Sequence, residues 1–282
     1  MAIRRGVSKF VVLDIDGVLL KGGSVINGAA HAVQRLAENN IPVAFVTNGG
    51  GMREEKKAQD LKKKLGLSIC PSQVVLSHTP LKNLEKQYAN SKVLIVGGQP
   101  RCLDVALSYG FKQACTVDCE HYDHKNIYPL RDAAGKHSSD NNPSDPVEAV
   151  MIFHDPVDWG LEMQVLCDVL SPENLTLDKL ATPENKQRGH IPFYVSNADV
   201  VYATEYHRPR FTQGAFVTAF KHLYESYYHQ PLHVEYCGKP YKVQYEYATQ
   251  VLRQQALKLP EPHSSASTEE VFFGVGDNPK SD

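Results

Sequence analysis

The sequence predicts an α/β fold built around a parallel sheet. Short apolar segments alternate with segments of helical composition along most of the chain, which is the order that a parallel sheet with right-handed crossovers requires. The first apolar segment, residues 10–13, reads Phe-Val-Val-Leu and has the continuous hydrophobic character of a strand buried on both faces. With 282 residues, the chain is long enough for two domains or for one domain with a large insertion.

Composition and charge argue against several classes of protein. Hydrophobic residues make up 42% of the chain and charged residues 22%, as in globular proteins, and a formal net charge of -2 gives no reason to expect a nucleic-acid partner. No stretch approaches the roughly 18 apolar residues that a membrane span needs. The six scattered cysteines favour reduced thiols in a reducing compartment. The residues before the first strand are too few to contain a signal or transit peptide, so we expect any presequence of the natural protein to be missing from this chain.

Two strand and helix pairs are predicted in the first 80 residues. After the first strand, a loop containing Gly22 and Gly23, which we expect to be mobile, leads to a helix at 29–38. A second apolar strand at 42–46 is followed by a charged helix at 53–65, which Gly66 ends. These residues are expected to form one part of a core domain.

A second, smaller α/β unit is predicted between residues 81 and 200. It is expected to contain helices at 81–88, 104–109 and 161–170 and strands at 92–96, 114–117, 147–153 and 191–196. Residues 129–146, rich in Pro, Ser, Asp and Asn, are predicted to be a surface loop. The core domain would then consist of residues 1–80 and 201–282.

Beyond residue 200, two helices, a loop and a final strand are predicted. The helices lie at 214–227 and 241–257, the loop at 260–268 and the strand at 271–275. The sequence Gly-Asp-Asn-Pro-Lys-Ser-Asp follows that strand and ends the chain at Asp282. Because an open α/β sheet ordinarily continues after such a segment, we expect a further helix and strand beyond it.

Polar side chains lie at four predicted strand ends, one of which leads into a helix. They are Asp14 and Asp16, Thr47 and Asn48, Lys239, and Asp277 and Asp282. Taken alone, the first two acids are equally well explained by a turn that uses Asp and Gly for their backbone preferences. Together the set supplies a nucleophile, a proton donor, oxygen ligands for Mg²⁺ and a cation, which are the requirements of phosphoryl transfer through an aspartyl intermediate.

Four motifs, DIDGV, VTNG, GKP and GDNPKSD, resemble in this order the motifs of the haloacid dehalogenase-like hydrolase superfamily. The match covers essentially the whole chain. It implies a core of Rossmann-like topology at 1–80 and 201–282, and the insertion at 81–200 resembles the α/β cap of the class IIA group. Within the insertion, FHDPVDWGLEMQVLCDVL and the later YVSNADVVYATEYHRPRFTQGAF are similar to the eukaryotic subfamily named after the cat-eye-syndrome critical region.

The resemblance implies a role for each acid of the motifs. Asp14 would be the nucleophile and a magnesium ligand, and Asp16 would protonate the leaving group and then activate water. Asp16 would also face the metal through its main-chain carbonyl. Asp277 would bind magnesium directly, and Asp282 would either bind it or hold a metal-bound water. Since carbon–halogen cleavage does not need the acid at position 16, its presence favours phosphoester hydrolysis.

The remaining motif residues would bind phosphate. A hydroxyl beside a backbone N–H, as at Thr47 and Asn48, can hold a phosphoryl oxygen. Lys239 would contact the phosphoryl group and offset the negative charge that collects between it and Asp14.

Substrate selection is expected to depend on the cap. His154, Asp155, Asn197 and Asp199 follow predicted strands and are candidates to bind the leaving group. Turn chemistry is an equal alternative for the segments 155–156 and 197–199. Trp159 is more consistent with packing than with stacking on a ligand.

These features predict a Mg²⁺-dependent phosphohydrolase acting on a small phosphorylated metabolite through an aspartyl phosphate. A weakly active or non-catalytic binding or scaffold protein, or a phosphotransferase, remains an alternative. No nucleic-acid partner or membrane span is expected, and a homodimer through the cap is an option. The subfamily resemblance implies mitochondrial localisation and glycerophospholipid metabolism, with a cytoplasmic location as the alternative.

Overall fold

The computed structural model describes residues 7–98, 100–117, 147–171, 191–259, 269–279 and 282. It divides into two compact units, the first formed by residues 1–80, 204–207 and 237–282 and the second by residues 81–203 and 208–236. The predicted loops at 129–146 and 260–268 lie outside the described residues.

Strands and helices alternate along the chain as the sequence predicts. In chain order they are β1 (Val7–Asp14), β2 (Leu20–Lys21), β3 (Ser24–Val25), α1 (Ala29–Glu38), β4 (Val43–Val46), α2 (Glu54–Leu65), β5 (Val74–Val75), α3 (Glu85–Tyr88), β6 (Lys92–Val96), α4 (Arg101–Ser108), β7 (Gln113–Thr116), β8 (Ala149–Ile152), α5 (Trp159–Val169), β9 (Phe193–Val195), β10 (Val201–Tyr202), β11 (Arg210–Phe211), α6 (Gln213–Tyr228), β12 (Glu235–Tyr236), α7 (Lys242–Ala256) and β13 (Glu269–Val275). Two 3₁₀ turns cover Pro71–Gln73 and Thr79–Leu84. The predicted α/β fold is confirmed.

The first unit is built on a four-stranded parallel sheet in the order β13-β1-β4-β5. Because side chains alternate along a strand, β1 contributes to two apolar clusters. Val11 and Leu13 pack with residues of α1 and α2, including Val33, Ala58 and Leu61. Phe10 faces the opposite side and packs with α7 through Ala248 and Leu252. The strand is therefore covered on both faces, as its continuous apolar sequence predicts.

The register of this sheet brings three strand ends to one edge. Asp14 at the end of β1 pairs with Val46 at the end of β4, and Leu13 pairs with Val275 at the end of β13. The residues that follow these strands therefore emerge side by side, at the edge where open α/β sheets bind ligands.

The segment expected to be a mobile loop is a hairpin. β2 and β3 pair antiparallel, with Leu20 opposite Val25. The two residues between the strands, Gly22 and Gly23, have φ angles of 55° and 83°. A two-residue hairpin turn with both φ angles positive matches the right-handed twist of its strands, and glycine adopts it without steric cost.

The second unit contains a five-stranded parallel sheet in the order β12-β9-β8-β6-β7. Helices α5 and α6 cover it through an apolar cluster that includes Val165, Leu166, Phe216 and Phe220. Residues 208–236 belong to this unit, whereas the sequence analysis placed them in the core domain. The apolar face of α6 predicts a helix, but it carries no information about which sheet that face will cover.

None of the helices in the described parts of the chain is long and apolar enough to cross a membrane.

Candidate active site

Lys239 lies between two carboxylates at the edge of the first sheet. Its Nζ is 3.0 Å from Oδ1 of Asp14 and also bonds Oδ1 of Asp282. The side chains are 5% exposed for Lys239 and 10% for Asp14, so these two charges are largely removed from water, whereas Asp282 is an exposed residue. Asp14, Lys239 and Asp282 also line an open cavity of about 270 Å³. A small ligand can therefore reach these charges within the first unit.

The charges of this cluster depend on one another. Burial raises the pKa of Asp14 to about 6, although Lys239 opposes the shift. Burial acts to lower the pKa of Lys239, but its bonds to Asp282 and Asp14 outweigh that effect and raise it. Burial acts to raise the pKa of Asp282, but Lys239 and two backbone N–H groups outweigh it and lower the pKa. At neutral pH the cluster therefore holds one cation between two carboxylates.

Three carboxylates form a set that could hold a metal ion. Asp14, Asp277 and Asp282 each offer an oxygen atom, and these atoms lie within 4.8 Å of one another. Three oxygen donors carry more negative charge than Lys239 neutralises, and hard divalent cations such as Mg²⁺ prefer carboxylate oxygens. The donor set fits magnesium. The predicted contact of Asp16 with the metal runs through its main-chain carbonyl and stays a prediction, and its carboxylate is not part of this set.

A glycine allows Asp277 to approach β1. Gly17 has a φ angle of 91°, and a Cβ atom at this position would overlap the carboxylate of Asp277. The carboxylate of Asp282 is held next to Asp277, because its Oδ2 accepts the N–H groups of Asp277 at 3.1 Å and Asn278 at 2.8 Å. Gly17 is part of the first motif, but no local pattern predicts its contact with a residue 260 positions later.

Thr47 follows β4 and is 2% exposed. Its hydroxyl donates to Oδ2 of Asp16 at 3.4 Å and accepts the N–H of Gly49 at 3.0 Å. Asp16 itself is exposed. The predicted acid and the predicted phosphate-binding threonine therefore lie within hydrogen-bond distance of each other.

The Asn48 side chain binds the main chain of Lys239. Its Nδ2 donates to the carbonyl oxygen of Lys239 at 3.0 Å, and its Oδ1 accepts the N–H of Lys239 at 2.8 Å. The motif predicts phosphate binding by the backbone N–H of Asn48 but does not predict this role of its side-chain amide. No local sequence signal predicts it, since 191 positions separate the two residues.

The four substrate-binding candidates lie in the second unit, at the carboxyl ends of β8 and β9. His154 is half-buried, and burial lowers its pKa. Asp155 accepts the N–H of Gln213, the first residue of α6, at 2.8 Å. Asn197 accepts the N–H of Asp199 at 2.8 Å, which closes a local turn. The contact of Asn197 is that of the turn alternative, whereas the contact of Asp155 is with the first residue of α6. A substrate-binding role for the four residues stays a prediction.

Trp159 packs inside the second unit. Its ring centroid lies 5.4 Å from that of Phe216 in an edge-to-face arrangement, and its Nε1 donates to the carbonyl of Pro156 at 3.2 Å. Both contacts are those of a packing residue.

Comparisons with known proteins agree with the family resemblance of the four motifs. The family model described as haloacid dehalogenase-like hydrolase matches residues 11–112. The mitochondrial hydrolase YKR070W of Saccharomyces cerevisiae is 34% identical over 290 residues, which cover 95% of this chain and 81% of that protein. The cardiolipin synthase (CMP-forming) / mitochondrial hydrolase fusion protein of Schizosaccharomyces pombe is 32% identical, covering 97% of this chain and 45% of that protein. The chain belongs to the haloacid dehalogenase-like hydrolase family.

The fold also matches a solved structure. A crystal structure of a possible sugar phosphatase of this superfamily from Cytophaga hutchinsonii superposes with a TM-score of 0.63 at 20% identity. The match covers 97% of this chain and 78% of that one. At this identity the similarity shows a shared fold, and the resemblance predicted from the four motifs is confirmed by the sequence relatives.

Proposed function

We propose that the protein is a Mg²⁺-dependent phosphohydrolase that cleaves a small phosphate ester through an aspartyl phosphate on Asp14. The observation that carries the proposal is the position of Asp14, which ends the central strand within 3.0 Å of the Lys239 ammonium and among three clustered carboxylates. Phosphoryl transfer through an aspartyl phosphate needs a nucleophilic carboxylate, a fixed cation and a metal site close together.

Each half of the proposed reaction balances with the residues at the sheet edge. A carboxylate oxygen of Asp14 bonds to phosphorus while the bond from phosphorus to the leaving alcohol breaks, and Asp16 gives its proton to the departing oxygen. Asp16 then takes a proton from water as the water oxygen bonds to phosphorus and the bond from Asp14 to phosphorus breaks. Inorganic phosphate leaves, and both acids return to their starting states.

Other residues of the site would stabilise the charge on the phosphoryl group. The Thr47 hydroxyl and the Asn48 backbone N–H would bind phosphoryl oxygens, and Lys239 would neutralise the charge shared by Asp14 and phosphate. Asp14, Asp277 and Asp282, with the main-chain carbonyl of Asp16, would hold Mg²⁺. When bound, this ion supplies positive charge that lets an anionic carboxylate meet an anionic ester.

A panel of phosphate esters tests this proposal. We expect the protein to hydrolyse p-nitrophenyl phosphate and at least one sugar phosphate or glycerol phosphate in Mg²⁺, and to lose this activity in excess EDTA. Phosphate release and phosphorylation of added alcohols should be measured together, because a phosphotransferase would form phosphorylated alcohols in preference to phosphate. Metal binding without turnover of any ester would contradict the proposal and favour the scaffold alternative.

Mg²⁺ binding is expected to weaken below about pH 6. A carboxylate must lose its proton to bind a metal, and the pKa of Asp14 is raised from 3.8 to about 6. Each pH unit below 6 should therefore raise the dissociation constant for Mg²⁺ about tenfold, since one proton competes with the ion. Calorimetric titrations at pH 5, 6, 7 and 8 measure this, and equal affinities at pH 5 and pH 7 would contradict it.

The raised pKa of Asp14 also determines whether stability rises or falls with pH. Without metal, folded Asp14 binds a proton more tightly than unfolded Asp14 between pH 3.8 and about 6. In this window the contribution of Asp14 to the free energy of unfolding is therefore expected to fall as the pH rises.

We further propose that the second unit selects the substrate as a cap, with the boundaries 81–203 and 208–236 in place of 81–200. His154, Asp155, Asn197 and Asp199 remain the candidates within it. The names of the two yeast relatives support a mitochondrial location, and the fusion of one of them to a cardiolipin synthase supports a substrate from glycerophospholipid metabolism. Dimerisation through the cap is part of this proposal.

A further inference from the structure

We propose that Asn48 is a positioning residue for Lys239, whose main chain it fixes so that the ammonium group reaches Asp14. The inference rests on the proposed function, because it assigns Asn48 an effect on the phosphoryl chemistry in which Lys239 takes part. It concerns the amide side chain of Asn48, and the backbone N–H next to Thr47 keeps its separate proposed role.

The amide of Asn48 uses both of its polar groups on one residue. Oδ1 accepts the N–H of Lys239 at 2.8 Å, and Nδ2 donates to the carbonyl oxygen of the same residue at 3.0 Å. Two hydrogen bonds from one planar amide define the orientation of the bonded residue, whereas a single bond would leave it free to rotate. The pair therefore fixes both the place and the direction from which the Lys239 side chain starts.

Lys239 lies in a turn, so the hydrogen bonds of a helix or a sheet do not fix its main chain. It belongs to a turn, closed by a bond of 2.9 Å from the N–H of Tyr241 to the carbonyl of Gly238, and it precedes α7. Asn48 follows β4, and Val46 at the end of β4 is the register partner of Asp14. The amide thus connects the strand beside the nucleophile to the turn that carries the cation, and it sets the distance between the two charges.

The chain contains a second amide pair of the same kind, which provides a matched control. Gln255, near the end of α7, accepts the N–H of Val43 at 3.2 Å through Oε1 and donates to the carbonyl of Val43 at 3.0 Å through Nε2. Val43 begins β4. The two pairs therefore tie the same helix and strand together at opposite ends, and only the Asn48 pair lies at the cluster of charges.

The test compares Asn48→Ala with Gln255→Ala in the full chain. Both variants should lose part of the free energy of unfolding in urea, because each loses one amide pair between the same two elements. Gln255→Ala also removes the acceptor of a 3.4 Å bond from Nε2 of Gln73. For p-nitrophenyl phosphate in Mg²⁺, Asn48→Ala should lower kcat about ten- to a hundredfold with a KM within about threefold of the original protein, because a small displacement of a charged group acts on the transition state. Gln255→Ala should keep kcat within about twofold.

A second measurement does not depend on turnover. Reductive methylation with formaldehyde and borohydride, followed by peptide mass spectrometry, reports how accessible the Lys239 amine is. We expect the modification of Lys239 to increase severalfold in Asn48→Ala and to stay unchanged in Gln255→Ala. Equal changes in the two variants, or an unchanged Lys239 in Asn48→Ala, would overturn the inference. If the proposed function is wrong, the protein without substitutions will hydrolyse no ester, which distinguishes that outcome from failure of the inference about Asn48.

Discussion

Asp14→Asn is expected to abolish phosphate-ester hydrolysis while leaving the fold intact. The amide has the shape of the carboxylate but cannot act as the nucleophile, so kcat should fall at least about 10³-fold, as it does when an enzyme loses its nucleophile. The side chain also loses its attraction to Lys239, while it no longer carries a charge that burial disfavours. Initial rates with p-nitrophenyl phosphate and circular dichroism measure the two expectations.

Asp60→Asn provides the control for this substitution. Asp60 is exposed on α2, and its replacement makes the same chemical change away from the sheet edge. We expect its kcat to stay within about twofold of the original value, as surface substitutions usually have small effects. In the unmodified protein, borohydride added during turnover should reduce the acyl phosphate and convert residue 14 to homoserine. Undiminished turnover by Asp14→Asn would exclude the aspartyl mechanism.

Lys239→Met is expected to lower both activity and stability. It leaves the buried carboxylate of Asp14 next to the carboxylate of Asp282 without the cation between them. Removal of one partner from a buried ion pair typically costs about 3–5 kcal/mol, and loss of a fixed charge at a phosphoryl site costs about 10²–10³ in kcat. Urea unfolding of the metal-free protein at pH 7 and kinetics in Mg²⁺ measure the two losses.

Two further variants test whether the effect of Lys239→Met comes from its ion pair with Asp14. Lys242 lies three residues later, forms an ion pair of 2.7 Å with Glu246 and has a side chain that is 86% exposed. Lys242→Met should change neither activity nor stability noticeably, because exposed ion pairs contribute little. In an Asp14→Asn background, Lys239→Met should cost less stability than it does alone, since one of the two repelling carboxylates has been removed. Equal losses in both backgrounds would show that the two residues are not coupled.

Much of the fold could be read from local patterns. The apolar run at 10–13 and the segment at 42–46 are strands because both faces of the sheet are covered, and such strands need no alternation. The helix predicted at 29–38 is observed with these bounds, and the left-handed Gly66 ends α2 as predicted. Short strands such as β5, β10 and β12 were not foreseen, because two residues carry too little pattern to distinguish a strand from a loop.

Local patterns also predict one part of the candidate site, and contacts between distant residues decide the other part. The sequence by itself determined which residue types lie at the strand ends, because the carboxyl ends of parallel strands meet at one edge and the motifs follow those strands. Only the tertiary structure decided that the Asn48 amide binds Lys239, that Asp277 lies against Gly17 and that α6 belongs to the second unit. Each of these contacts joins residues far apart in the chain, and their spacing is set by sheet register and helix packing, which a local pattern does not encode.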